Sequence, residues 1–477
     1  MGRRIKPFSA EMTLIDAAAE GWAIAKHEGR VIFVEEGVPG DKAVIHVFRK
    51  HKKQLFGRIE SLIQPSPERI PAACQHFSVC GGCKWQMMSY QHQLTFKQKS
   101  VEDAFARIAK TKPQEIKPIL ASESEYFYRN KLEFTFSSKA WLTKDQIDRG
   151  EMIDQRVLGF HVPRIFDKII NIDNCLLQKP IINDIRNEIR DFARQQEWPF
   201  YDIRANEGLL RNVIFRTTEH KDQLMLVIIL AEDRPEVIDH LCTHLEGRFP
   251  QITHFLWIHN PKLNSSYSEL PFQLWKGSEY VLERLGQFDF RISPTSFFQT
   301  NPTQALQLYG LVKSMLAEIL PEGQRQHETI YDLYAGTGSI GIFISDLAKK
   351  VVGIEYVESS IADAWKNVAL NQLSHFAFYA GDMKKVLTPE LVEKEGVPSV
   401  MIVDPPRAGM DPKVVQRILQ IAPEYIIYVS CKPATQARDV ALLHEKYELL
   451  RIQAVDMFPQ TAHVENVALL GLSVLTS

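Results

Sequence analysis

The sequence predicts an α/β chain that begins all-β: a small N-terminal barrel, a central α+β region and a C-terminal doubly wound parallel sheet. Three observations predict this. Residues 1–64 carry short apolar runs separated by turn signals. From about residue 291, strands alternate with amphipathic helical stretches, the pattern of a parallel sheet covered on both faces. Between them, runs such as Lys131 to Ser137, Val213 to Thr217 and Gln223 to Ala231 read as strands of an antiparallel sheet with helices. The length of 477 residues suits two to four domains, with divisions expected at 1–64, 65–290 and 291–477.

The bulk numbers exclude several classes. The hydrophobic share is 45% and the charged share 24%, ordinary for a globular chain. A net charge of -2 gives no global attraction for nucleic acid, so any basic surface must be local. No apolar run approaches the roughly 18 residues that span a bilayer, and no hydrophobic stretch follows Met1-Gly-Arg-Arg to make a secretory signal. A cytoplasmic protein without a membrane partner is expected. Six cysteines in so long a chain point to metal or catalysis rather than a disulfide scaffold.

In the first region, Trp22 to Ala25, Val31 to Val34, Ala43 to Val47 and Phe56 to Ile63 fit a five-stranded, OB-like barrel. Arg49 to Arg58 holds five positive side chains and no acid. Such a stretch is commonly a solvated loop, but on a barrel of this kind it also fits a surface that tracks phosphates. The proline-rich Gln64-Pro-Ser-Pro-Glu-Arg-Ile-Pro71 is a linker, and a helix is expected from Tyr90 to about Lys112. Between them, Cys74-x5-Cys80-Gly-Gly-Cys83 gathers three thiols, and Cys175 could complete a set of four. On spacing alone, structural zinc and an iron–sulfur cluster suit it equally. Cys242 reads as inert core.

The C-terminal region opens with Thr329-Ile-Tyr-Asp332-Leu-Tyr334-Ala-Gly336-Thr-Gly338-Ser339, an apolar strand ending in a glycine turn before a helix. Glu355 ends the next strand nineteen residues after Gly336, where an acid can accept from both ribose hydroxyls of an adenosine. A nicotinamide dehydrogenase would show a similar turn. The D-x-x-x-G-x-G spacing from Asp332, with later strands ending at Asp382 and at Asp404-Pro-Pro-Arg407, favours S-adenosylmethionine on a Rossmann-like sheet. Asp404-Pro-Pro-Arg407 resembles the turn of amine methylases, but its arginine disfavours an amine target. Tyr425 to Ser430 then delivers Cys431 to the same rim, followed by Lys432, which could lower the thiol's pKa. Uracil C5 needs such a thiol, because addition at C6 makes C5 nucleophilic; a base must later remove the C5 proton. Glu465, in His463-Val-Glu465, is the candidate base, and His463 reads as a loop cap.

Taken together, C-x5-C-G-G-C, Ser-Phe-Phe-Gln299-Thr-Asn301, Asp404-Pro-Pro-Arg407, Ser430-Cys431-x-Pro433-x-Thr435 and His463-Val-Glu465 resemble the RNA 5-methyluridine methyltransferases, closest to the branch acting on 23S ribosomal RNA. The resemblance covers nearly the whole chain. It implies a TRAM barrel, a central RNA-binding domain and a class I methyltransferase domain. It implies Cys431 as nucleophile and Glu465 as general base, with Gln299, Tyr334, Ser339, Glu355, Asp382 and Asp404 at S-adenosylmethionine. It further implies a [4Fe–4S] cluster on Cys74, Cys80, Cys83 and Cys175, a segment Tyr128-Arg129-Asn130-Lys131 near the RNA, and a Tyr90–Lys112 helix packed on the methyltransferase domain. No obligate protein partner is implied, so a monomer is expected. Lys432 and Ser339 depart from the family's usual Asn or Asp and Asn, which blurs the exact RNA site. The alternatives are another 23S uridine, the transfer-RNA T-loop uridine, and a non-catalytic ribosome-assembly factor. Transfer-RNA enzymes are expected to lack both barrel and cysteine cluster.

Overall fold

The computed structural model describes residues 6–473 except Ala19, Lys53, 151–152 and 324–327. Strands β1 (Phe8–Ala17), β2 (Ala23–His27), β3 (Arg30–Glu35), β4 (Lys42–His51) and β5 (Gln54–Gln64) close into a barrel in the order β1-β2-β3-β5-β4. Period-two alternation decides its inside: Met12, Leu14, Ala25, Ile32, Val34, Ile45 and Val47 are buried there.

A helix at Tyr90–Ala104 continues through a π-helical turn, Phe105–Ala109, and stops at Lys110 in the left-handed conformation. β6 (Glu115–Leu120) follows. The central sheet contains β7 (Lys131–Ser137), β8 (Val157–His161), β9 (Ile169–Asn171), β10 (Leu210–Thr217), β11 (Leu224–Leu230), β12 (His254–His259) and β13 (Phe272–Lys276), ordered β13-β12-β11-β10-β7-β8-β9. Its neighbours are antiparallel except β11 and β12. One face packs on helices Pro180–Gln195 and Pro235–Glu246. From the other face Ile214, Met225 and Val227 join a core shared with the C-terminal sheet.

The hairpin of β14 (Val281–Leu285) and β15 (Phe288–Ile292) lies against helices Pro302–Ile319 and Glu358–Leu370. Then come β16 (Thr329–Leu333), β17 (Lys350–Glu355), β18 (Phe376–Ala380), β19 (Val400–Val403), β20 (Tyr425–Ser430), β21 (Tyr447–Val455) and β22 (Glu465–Leu472). They form an eight-stranded sheet in the order β18-β17-β16-β19-β20-β22-β21-β6. β16 to β20 are parallel, which explains runs such as Val400–Val403 that are buried throughout: helices cover both faces.

The sheets do not follow the expected divisions. β6 pairs with β21 and covers what would otherwise be that sheet's open edge. Phe105 and Val101 of the preceding helix are buried against the C-terminal core with Tyr331 and Tyr428. The region 65–290 is therefore not one packing unit, and the boundary at 290/291 cuts through β15. Among the described residues, no helix is long and apolar enough to cross a membrane.

Candidate active site

Five parallel strands end on one rim, and the turns after them line a cavity of about 850 Å³, within the usual range of small-ligand pockets. This is where open α/β sheets bind ligands, beyond the carboxyl ends of their strands. Tyr334 follows β16 with φ +66°, a left-handed conformation rare for a bulky side chain. Gly336 is also left-handed, at φ +55°, and a Cβ there would project into open space. The chain thus leaves room for a ligand against its backbone. Glu355 Oε2 accepts from the Gly336 amide at 3.0 Å and Oε1 from the Val357 amide at 2.9 Å, which fixes the carboxylate on the rim. Asp332 lies beneath the turn and accepts from the Gly341 amide at 3.0 Å, and burial pushes its carboxyl up to about 7.

Gln299, Tyr334, Glu355, Asp382 and Asp404 all line this cavity. Ser339 does not line it; its hydroxyl is 3.0 Å from the Tyr309 hydroxyl. Phe297 and Tyr356, which sequence reasoning passed over, stand exposed on the rim as flat apolar faces.

Cys431 and Glu465 share the cavity with these residues. Register brings them together: antiparallel pairing of β20 and β22 sets Ser430 opposite Asn466, so the next residue of one strand meets the preceding residue of the other. Loss of water raises the Glu465 carboxyl to about 8, with Asp404 acting the same way and Arg407 against both. Burial also lifts Asp404 to about 7. Burial pushes the Cys431 thiol up, helped by Glu465 and Asp404, while Arg407 pulls it down by its charge and by a hydrogen bond. Lys432, the cation expected beside the thiol, is exposed; Arg407 takes that place.

Arg407 is held from two sides. Thr435 Oγ1 donates to its carbonyl at 3.2 Å, and its Nη2 lies 3.0 Å from His463 Nδ1. Loss of hydration and then the charges of Arg407, Lys97 and Arg129 press His463 down to about 4, so at neutral pH its ring is an uncharged acceptor for the guanidinium. His463, read from sequence as a loop cap, instead steers Arg407.

The chain as a whole has relatives. An RNA methyltransferase of Bacteroides thetaiotaomicron, described as uncharacterized, is 45% identical over 95% of this chain and 100% of its own. Another from Porphyromonas gingivalis is 43% identical over 96% of this chain and 99% of its own. The family described as tRNA (uracil-5-)-methyltransferase matches residues 277–472.

The chain belongs to the RNA (uracil-5-)-methyltransferase family.

It is therefore an S-adenosylmethionine-dependent RNA (uracil-5-)-methyltransferase. A solved relative, the Pyrococcus abyssi tRNA (uracil-54, C5)-methyltransferase in complex with S-adenosyl-L-homocysteine, superposes with a TM-score of 0.73 at 28% identity, covering 97% of this chain and all of its own.

Two further features of this methyltransferase were expected from sequence. The basic segment forms the β4–β5 hairpin, with Lys50 and Lys52 exposed and Arg49 stacked 4.3 Å above Phe56; Lys53 lies outside the described residues. Cys74, Cys80, Cys83 and Cys175 line one cavity of about 370 Å³, and none is in a disulfide. Among the described residues, no three His, Cys, Asp or Glu side chains are grouped closely enough to hold a metal ion, which supports neither zinc nor an iron–sulfur cluster over the other. Burial and the neighbouring thiols push Cys80 up to about 12, and burial above all pushes Cys83 up to about 11. Arg129 lines the same cavity, Arg186 acts on Cys175, and the Nε of each arginine is buried without a partner. A cation on the wall of a cavity lined by four thiols, Arg129, suits an anionic occupant.

As nucleophile and base, the roles the sequence suggests, Cys431 and Glu465 would both have to lose a proton, and both sit above their ordinary values. Activity should therefore rise with pH through about 8, where Glu465 ionises. Arg407→Met removes the cation that lowers both groups, so the rising limb of kcat/KM against pH should move further up and the rate at pH 7 should fall by roughly tenfold or more. A pH–rate profile unmoved in Arg407→Met would contradict this role.

Proposed function

We propose that the chain methylates C5 of a uridine in RNA through a covalent adduct on Cys431, with Glu465 as the base. The observation that carries this reading is the placing of a strand-end thiol, a dry carboxylate and one guanidinium in the cavity that also holds Glu355, Asp382 and Gln299. Bound S-adenosylmethionine supplies an electrophilic methyl group on sulfur. Arg407 favours the Cys431 thiolate, which adds to C6 and sends the electron pair towards C5 and O4. C5 then takes the methyl, and Glu465 accepts the C5 proton. The C6–S bond breaks as the C5–C6 double bond returns, which restores the thiolate. A carboxyl with a value of about 8 is strongly enough basic to take that proton near neutral pH. Cofactor roles for Gln299, Tyr334, Glu355, Asp382 and Asp404 belong to the same proposal. Ser339, expected with them at the cofactor, lies outside the cavity lining and pairs with the Tyr309 hydroxyl.

We read the RNA as 23S ribosomal RNA, which the motif set in the sequence favours. A T-loop uridine of transfer RNA is the second reading, favoured by the Pyrococcus abyssi enzyme. Its likeness spans 97% of this chain, so the barrel does not separate the two substrates as the sequence argument assumed. Phosphate tracking by the β4–β5 hairpin would serve either RNA. Mapping 5-methyluridine in both RNAs from a deletion strain decides between them.

Cys431→Ala should lose methyl transfer while still binding S-adenosylhomocysteine. Glu465→Gln should transfer methyl once and then accumulate a denaturation-resistant protein–RNA adduct. Normal turnover by the first, or slow turnover without adduct by the second, would contradict the assignments.

For the four cysteines we propose an iron–sulfur cluster that ties the segment after the barrel to Cys175. Its net negative charge would pair with the Arg129 guanidinium on the cavity wall. Anaerobically purified protein should be brown with about four irons per chain. Colourless protein with one zinc per chain would overturn this.

A further inference from the structure

The connection from β21 to β22, residues 456–464, has no regular secondary structure, yet it carries Phe458 of the catalytic cavity and delivers Glu465. A buried backbone without a ladder must find donors elsewhere. Here five consecutive carbonyls do so from remote parts of the chain. Asp456 O accepts from Gln304 Nε2 at 2.9 Å and Met457 O from Asn301 Nδ2 at 3.1 Å. Phe458 O accepts from Lys97 Nζ at 3.0 Å, and Pro459 O from the Tyr128 hydroxyl at 3.0 Å. Gln460 O accepts from the amides of Lys84 and Trp85, directly after Cys83. Gln460 itself is left-handed, with φ +67°, a conformation that persists only where surrounding contacts impose it.

The helix Tyr90–Ala104 supplies the strongest of these holds. Lys97 Nζ lies 2.6 Å from Asp456 Oδ1, and both side chains are fully buried. Asp456 also accepts from the Tyr90 hydroxyl at 2.9 Å and from the Phe458 amide at 3.1 Å. One turn before Lys97, the Gln93 side chain makes a reciprocal pair: its Nε2 donates to Gln460 Oε1 and its Oε1 accepts from the Gln460 amide, both at 3.0 Å. A buried ion pair is rarely kept for stability, since apolar residues of the same size often serve as well. What this pair adds is fixed geometry at the root of the catalytic loop.

We propose that Lys97 and Gln93 are positioning residues for Glu465: they fix the 456–464 connection so that its carboxylate stands where the C5 proton leaves. This rests on the reading of Glu465 as the base. Neither residue lines the cofactor cavity, and Cys431 sits on a different strand. Cofactor binding should therefore survive their loss, and adduct resolution should suffer far more than adduct formation, which the connection reaches only indirectly, through His463 and Arg407.

The test compares native protein with Lys97→Met/Asp456→Asn, which removes both buried charges together, and with Gln93→Leu, which touches no charge. Single-turnover reactions on substrate RNA measure adduct formation and adduct decay separately, and calorimetry with S-adenosylhomocysteine reports the integrity of the cofactor site. Both variants should bind S-adenosylhomocysteine as the native protein does and form adduct within a few-fold of its rate. Adduct decay should slow by between about ten- and a hundredfold, the usual effect of an ångström-scale misplacement. Native decay in either variant overturns the proposal. Loss of cofactor binding by Gln93→Leu also overturns it, because the contacts would then serve the fold as a whole. Failure of the underlying reading shows separately: Glu465→Gln would itself resolve the adduct at the native rate.

Discussion

The antiparallel register of β20 and β22 is the constraint on which the site depends. With Ser430 opposite Asn466, the last residue before one turn and the first after another come side by side: Cys431 and Glu465. A slip of one residue would turn every side chain of β22 to the opposite face and send Glu465 away from the cavity. The apolar run Val467–Leu470, buried on both faces, makes such a slip expensive. Packing in the C-terminal sheet and chemistry at its rim are thus one specification.

Electrostatics at that rim follow from the same burial. A thiol and two carboxylates held in a dry pocket would all prefer to keep their protons, and each does stand above its ordinary value. One guanidinium, Arg407, opposes the shift for the thiol and for Glu465. Its orientation is secured by His463, whose ring burial and then the surrounding cations keep neutral. In the proposed mechanism, desolvation makes Glu465 a usable base, and Arg407 keeps the Cys431 thiol within reach of neutral pH.

Much of this was legible in the sequence because the signals were local. The glycine turn, the strand ends at Glu355, Asp382, Asp404 and Cys431, and the His463-Val-Glu465 segment each lie within a few residues of the chain. β1 was harder to read: from Phe8 to Thr13 its apolar residues alternate with polar ones, and only Leu14-Ile15 stand together. The cation beside Cys431 was assigned to its neighbour Lys432, whereas Arg407 reaches it from another turn. Least legible was the helix Tyr90–Ala104. Its packing on the C-terminal core could be expected from family resemblance, but a buried Lys97 and Gln93 leave a polar mark on a face that periodicity would require to be apolar. Their partners lie more than 300 residues away, so no local pattern records them.

The central claim is a covalent bond between Cys431 and C6 of a uridine. It is tested most directly by incubating the protein with S-adenosylmethionine and substrate RNA carrying 5-fluorouridine. Fluorine at C5 cannot leave as a proton, so the adduct cannot resolve. Digestion and mass spectrometry should find the nucleotide, with its added methyl group, on the peptide containing Cys431. An RNA-linked peptide from elsewhere in the chain, or no adduct from protein that methylates ordinary uridine RNA, would contradict the account.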